Sequence, residues 1–200
     1  MICHRSSYLD LVYIMKEGFQ HGIHGKFVRG QSFDDAEDLT LSYTDRCIGV
    51  EVYWVDKYLA SIRFFYSNGR YSADRPRSHD QLVGLNRSSN KFTLYPTEEI
   101  NKVVFYEHAH RTDTNDSSST FQMKGVMVGV EFRTTTGRKS DLFGSDDGSY
   151  TAESFLGYTF RCAKGRRHDV ERIETLQLVW FKLGSSTEEN TKRKQLGFFF

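Results

Sequence analysis

Gly165-Arg166-Arg167-His168-Asp169 places a carboxylate four residues after a glycine, between two segments that read as β-strands. The pattern suits a sugar grip on a strand-connecting loop. Glycine lets the backbone turn tightly. Exposed loop N–H groups beside a carboxylate bind neighbouring hydroxyls, and an ionised acceptor makes such bonds roughly twice as strong as neutral ones. The spacing alone is weak: with 16 Gly and 14 Asp in 200 residues, about one such pair arises by chance. The chain holds three, because Gly30–Asp34 and Gly137–Asp141 also fit. Position has to decide among them.

Other chemistry-bearing residues are more scattered. His108 and His110 alternate, as residues on one face of a strand do, and Asp113 and Asp116 follow. No third soft ligand has the spacing a metal needs, so no metal is expected. His21-Gly22-Ile23-His24 adds nothing stronger. Cys3, Cys47 and Cys162 form no C-x-x-C and no paired spacing. They read as reduced, partly buried thiols rather than a zinc or disulfide framework, which points to a reducing compartment. There is no G-x-S-x-G elbow. Asp34-Asp35 reads as a strand-end turn, since paired glycosidase carboxylates face each other across a cleft. The expectation is a protein that is not an enzyme and carries no cofactor.

Twenty-seven basic and 26 acidic residues leave a net charge of +1, so no overall field argues for nucleic acid or an acidic membrane as partner. No run approaches 18 apolar residues, and no membrane span is expected. The opening Met1–Arg5 and the stretch Tyr8–Met15, with Asp10 and Lys16 interrupting, lack the apolar core of a signal peptide. Cytoplasmic residence, or secretion by a non-classical route, follows as the expectation.

The elements that must position these residues are strands. Sixteen Phe and 11 Tyr supply core bulk, and 16 Gly against two Pro suit short strands and turns. Cys47–Val55 alternates, with Ile48, Val50, Val52 and Trp54 on one face, and Tyr58–Tyr66 follows as the second arm of a hairpin. Lys91–Leu94, Ile100–Tyr106, Met123–Arg133, a short strand over Lys139–Phe143, Tyr158–Cys162 and Ile173–Lys182 continue the pattern. Polar stretches at 70–90 and 107–120 read as loops. Ser7–Phe19 has the makings of a helical turn without a clear apolar stripe. About ten short strands at regular spacing predict an all-β sandwich, barrel or prism. Residues 1–24 read as an N-terminal extension, 25–183 as one domain, and 184–200 as a disordered polar tail.

Several segments in order resemble jacalin-related lectins. Gly30-Gln31-Ser32-Phe33-Asp34-Asp35 resembles the family's opening strand, where a Gly–Gly pair precedes a Phe-Asp-Asp step. Ile48–Tyr66 resembles its second and third strands, particularly those of the animal zymogen-granule type. Leu94-Tyr95-Pro96-Thr97-Glu98-Glu99-Ile100 is similar to its leucine-x-proline-x-glutamate strand entry. Val128–Arg138, continued by Phe143-Gly144, is similar to a later strand and turn, and Tyr158–Asp169 to the strand and loop that end in GxxxD. The likeness spans about residues 25–182. It implies β-prism I: three Greek-key sheets of about four strands each around a pseudo-threefold axis. It also implies a mannose-binding type of carbohydrate-binding protein. Exposed strand edges, read from the strands themselves, leave room for a homo-oligomer.

The resemblance places a sugar at one end of the prism, beside Gly30 and the loop of Gly165, Arg166, Arg167, His168 and Asp169. Asp169 would accept from two hydroxyls of a hexose, such as those at positions four and six. The main-chain N–H groups of Arg167 and His168 would reach the ring and primary hydroxyl oxygens, and Gly30 would let the first strand approach. The chain departs from the family at Arg29, which replaces the first glycine, and at Arg166-Arg167-His168, which replace small or apolar residues. With Lys164 and Arg161 these make a basic rim, favouring sulfated, sialylated or phosphorylated glycans over neutral mannose, unless the arginines are simply a solvated turn. The alternative is a β-prism whose sugar site has decayed, leaving a glycan-independent protein-interaction or structural role.

Overall fold

The alternating runs Cys47–Val55 and Tyr58–Tyr66 pair as an antiparallel hairpin, with Val50 opposite Phe64 and Val52 opposite Ile62. The same period of two, which sends successive side chains to opposite faces, builds the rest of the chain. The computed structural model describes residues 18–24, 31–55, 58–72, 87–108, 126–167 and 173–182. In chain order these form β1 (Gly18–His24), β2 (Gln31–Asp34), a helical turn α1 (Asp35–Asp38), β3 (Cys47–Val55), β4 (Tyr58–Tyr66) and β5 (Arg87–Thr93). Then come β6 (Ile100–His108), β7 (Val126–Thr134), β8 (Phe143–Gly144), β9 (Ser149–Glu153), β10 (Tyr158–Arg167) and β11 (Ile173–Lys182).

The strands form three antiparallel sheets, ordered β1-β11-β10-β2, β4-β3-β5 and β8-β7-β6-β9. The first sheet joins the earliest and latest described strands, so it closes the prism. All three turn apolar faces to one core. Phe64 of the second sheet stands edge-on to Phe132 of the third, with centroids 6.4 Å apart, and lies 4.6 Å from the Phe160 ring of the first.

Those three phenylalanines head an internal repeat. Phe64, Phe132 and Phe160 are each followed by glycine at the fifth position and arginine at the sixth: Gly69-Arg70, Gly137-Arg138 and Gly165-Arg166. In the first two copies the glycine occupies a turn at φ +81° and +84°, where a side chain would be strained. A serine eight residues after the phenylalanine then returns to it. Ser72 Oγ accepts from the Phe64 N–H at 3.0 Å, and Ser140 Oγ accepts from the Phe132 N–H at 2.9 Å. The third copy departs: β10 runs on through Gly165 to Arg167.

Each seam between sheets is crossed by a buried carboxylate. Between the first and second, Asp35 accepts from Tyr66 Oη at 2.6 Å and Ser72 Oγ at 2.9 Å. Between the second and third, Glu98 pairs with Arg138, whose guanidinium lies over the rings of Phe92 and Tyr95. Between the third and first, Trp180 Nε1 donates to Glu153 Oε2 at 2.8 Å. Asp35, Glu98 and Glu153 are 2%, 1% and 1% exposed. Buried polar groups of this kind persist only when satisfied, so the seams are tied at defined points.

Several expectations change. The first sheet starts at Gly18, inside the segment read as an extension, because β1 pairs with β11 from Gly18 opposite Phe181; the helical reading of Ser7–Phe19 fails at its last two residues and otherwise lies outside the described residues. Ile48 does not share the core face. The register slips between Cys47 and Gly49, as a bulge does, so Cys47 is buried and Ile48 is 37% exposed. The short strand is Phe143–Gly144, with Lys139 in an isolated bridge to Arg133. Strand β9 was not expected, since Ser149–Glu153 is exposed except at its last residue and has no apolar alternation. Asp34-Asp35 opens a helical turn: the Asp34 carboxylate accepts from the Ala36 N–H at 3.0 Å, a helix N-cap. The expected tail at 184–200 lies outside the described residues, as do His110, Asp113 and Asp116. Among the described residues no helix is long and apolar enough to cross a membrane.

Candidate functional site

Strand pairing decides what comes together at the first sheet. Lys164 stands between Asp34 on β2 and Gln177 on β11, and Arg166 between Ser32 and Thr175. Residues two apart on a strand share a face, so these two rows of three form one polar surface. The alternate residues Ala163, Leu176 and Leu178 are buried beneath it. Helical turn α1 raises a wall along one side of an open cleft of about 390 Å³. Glu37 and Asp38 form that wall, with the backbone of Phe33 and Gly165 completing the floor region.

Asp35 sets the wall in place. Its buried carboxylate takes hydrogen bonds from Tyr66 and Ser72 and from the backbone N–H of Ala163 on β10, which fixes α1 one residue from Lys164. Burial pushes the Asp35 carboxyl up to about 7 from an ordinary 3.8, against the lowering effect of those three donors. Asp38 Oδ2 accepts from the Asp34 N–H at 3.0 Å, so the turn is closed by the side chains at both of its ends.

Gly165 is in strand β10, opposite Phe33 and Leu176, and not in a loop. Its glycine is required for a different reason than a tight turn: a Cβ there would overlap the carbonyl oxygen of Thr175. Arg166 lines the cleft, and Arg167 pairs with Gln31 and Ile173 in the ladder. Gly30, His168 and Asp169 lie outside the described residues. What the structure gives for them is the pair they adjoin in sequence. Gln31 follows Gly30, Arg167 precedes His168, and Gln31 and Arg167 are partners at the end of the sheet.

Arg161 is not at the rim. It is 8% exposed, its guanidinium donates to the Ser42 carbonyl and it lies over the Phe181 ring. Nor is the rim simply basic, because Lys164 and Arg166 share the cleft with Asp34, Glu37 and Asp38. Sequence reasoning missed Ser32, Asp34, Glu37, Asp38, Thr175 and Gln177 as cleft residues. The Asp34-x-x-Glu37 spacing was a legible helix-start signal, whereas the β2–β10–β11 register was not legible at all. Gly137 and Asp141 belong to the turn after β7 and the segment before β8, on the third sheet. Among the described residues no three His, Cys, Asp or Glu side chains gather as a metal would need.

No protein-family model matches the chain, and no curated protein matches it in sequence. Solved structures do match. Frutapin, a lectin from Artocarpus incisa, superposes with a TM-score of 0.58 at 21% identity, over 83% of this chain and 98% of that one. The fold is that of the jacalin-related lectins. A mannose-specific jacalin-related lectin from Morus nigra, solved with mannose, gives 0.56 at 17% identity, over 83% of this chain and 96% of its own. A mannose-binding jacalin-related lectin from Ananas comosus gives 0.57 at 13%, over 82% and 98%. The jacalin-type prism thus accounts for nearly the whole of those proteins and leaves about a sixth of this chain outside it.

Proposed function

We propose that this protein is a non-catalytic carbohydrate-binding protein that holds a hexose at the open end of its first sheet, between the start of β2 and the end of β10. The Gln31–Arg167 pair carries the reading. It brings the residue after Gly30 and the residue two before Asp169 to one place, which the Gly137–Asp141 pair does not share. The shared fold with mannose-binding lectins supports a sugar as ligand. In this reading Asp169 accepts hydrogen bonds from two hydroxyls, the main-chain N–H groups of Arg167 and His168 donate to the ring and primary hydroxyl oxygens, and Gly30 leaves room for the ligand. Shallow single sites of this kind bind weakly and gain through multivalency.

The test is a glycan array with wild-type protein and Asp169→Ala. Binding to hexose-bearing glycans that falls at least about tenfold in the variant, with an unchanged melting curve, is the expected result, a loss in line with one charge-assisted hydrogen bond. A folded wild-type protein that binds no neutral or anionic glycan would leave an interaction module with a decayed site. Turnover of a glycoside would overturn both.

A further inference from the structure

We propose that the cleft on the outer face of the first sheet holds a second sugar residue of the ligand, and that this residue is uncharged. The inference rests on the lectin reading above and extends it from a single hexose to an oligosaccharide.

The cleft adjoins the sheet end. At about 3.4 Å of rise per residue, the Ser32–Arg166–Thr175 row lies one step from the Gln31–Arg167 pair, and the Asp34–Lys164–Gln177 row two further steps in. A glycan seated at the sheet end therefore meets the cleft with its next residue. The volume of about 390 Å³ falls in the range of small-ligand clefts.

Its chemistry suits hydroxyls. A pyranose hydroxyl both donates and accepts, so it needs both kinds of partner within reach. Lys164 offers donors, Glu37 acceptors, and Gln177 both. Among the described residues no hydrogen bond or ion pair engages these three side chains, although Lys164 lies directly across the ladder from Asp34. Their capacity is unspent and directed into one cleft. Charge sets the class: three carboxylates (Asp34, Glu37, Asp38) face two cations (Lys164, Arg166). A sulfate or a sialic carboxylate entering there would meet an excess of its own sign, whereas a neutral residue meets paired donors and acceptors.

The experiment measures affinity for matched monosaccharides and trisaccharides of mannose and of galactose, using wild-type protein, Gln177→Ala, Lys164→Ala and Glu37→Lys. The wild type should bind the preferred trisaccharide about tenfold more tightly than its monosaccharide. Gln177→Ala and Lys164→Ala should remove most of that gain while leaving monosaccharide affinity within about twofold, a split that a general folding defect does not produce. Glu37→Lys should bring in binding of a sulfated trisaccharide that the wild type rejects. If the trisaccharide gains nothing over the monosaccharide, or its gain survives both alanine variants, the cleft is not a subsite while the lectin reading stands. If wild type binds no sugar of either size, both readings fall together.

Discussion

Tyr66 Oη donates to Asp35 Oδ2 at 2.6 Å across the seam between the first and second sheets, and with the Ser72 hydroxyl and the Ala163 N–H it ties the wall of the candidate site to the core. Tyr66 and Asp35 are both buried. The folded Asp35 carboxyl is pushed up to about 7 by burial, well above its ordinary 3.8.

A raised carboxyl means that the folded state holds its proton more tightly than the unfolded chain does. Its contribution is complete below about pH 4 and is lost as pH rises through about 7. Chemical denaturation at pH 5 and pH 8 should show the protein less stable at pH 8, by up to about 2.5 kcal/mol, the part of a shift of this size that falls between those two pH values. Asp35→Asn should flatten that slope. Tyr66→Phe should cost about 1.5–3 kcal/mol, the usual value of a hydrogen bond to a charged or charge-sharing group. A slope that persists unchanged in Asp35→Asn would assign the dependence elsewhere.

Glu98 behaves oppositely. Burial alone would raise it, but Thr136, the Tyr95 N–H and Arg138 hold it down to about 2 from 4.5. Arg138 grips it with two nitrogens, Nε at 3.0 Å and Nη2 at 2.6 Å, the fork geometry that lysine cannot reproduce. Its contribution is present above about pH 4.5 and is lost as pH falls toward 2. Arg138→Ala should cost about 3 kcal/mol, because a buried carboxylate is left without its cation. Arg138→Lys should recover only part of that. Glu98→Gln should remove the acid-side loss of stability, measured as the difference between denaturation midpoints at pH 5 and pH 3.

Gly165→Ala tests whether the site is built on close strand approach. A Cβ there would overlap the Thr175 carbonyl oxygen, so β10 and β11 must part along the row that floors the cleft. The expected cost is about 1–3 kcal/mol, in the range of overpacked sites, together with lost oligosaccharide binding. Gly69→Ala and Gly137→Ala should differ in kind, since each meets open space and pays only for its positive φ, about 1 kcal/mol. Equal effects at all three would mean that Gly165 is an ordinary turn glycine.

The strands that alternate strongly were legible: Cys47–Val55 and Tyr58–Tyr66 pair where their β-branched and aromatic residues indicate. What escaped was set by partners distant in sequence. Ser149–Glu153 is a strand because Glu107 through Val103 offer it an edge, and nothing in its own composition says so. Ile48 points outward because of a register slip. The repeat headed by Phe64, Phe132 and Phe160 was in plain view, and it accounts for the glycine of two of the three Gly–Asp spacings. Gly137 and Gly165 hold the same repeat position, so the sixth-position arginine and the spacing recur without a common function. In the site, Asp34 showed as a turn residue, but its place opposite Lys164 depends on a register that only the folded sheet supplies.

That register changes the expected response of binding to salt. A rim of Arg161, Lys164, Arg166 and Arg167 would draw anionic glycans and lose affinity as ionic strength rises. Arg161 is instead spent on the Ser42 carbonyl and the Phe181 ring. Lys164 and Arg166 share a cleft with three carboxylates. Long-range attraction of an anion by such a mixed surface is small, and hydrogen bonds to neutral hydroxyls are insensitive to screening. Affinity for the preferred neutral glycan should therefore change by less than about twofold between about 20 and about 200 mM salt. Replacing the acidic wall, as Glu37→Gln with Asp38→Asn, should introduce binding of a sulfated glycan that weakens steeply with salt. Tight, salt-sensitive binding of a sulfated glycan by the wild type would show instead that Arg167 and the segment beyond it dominate the rim.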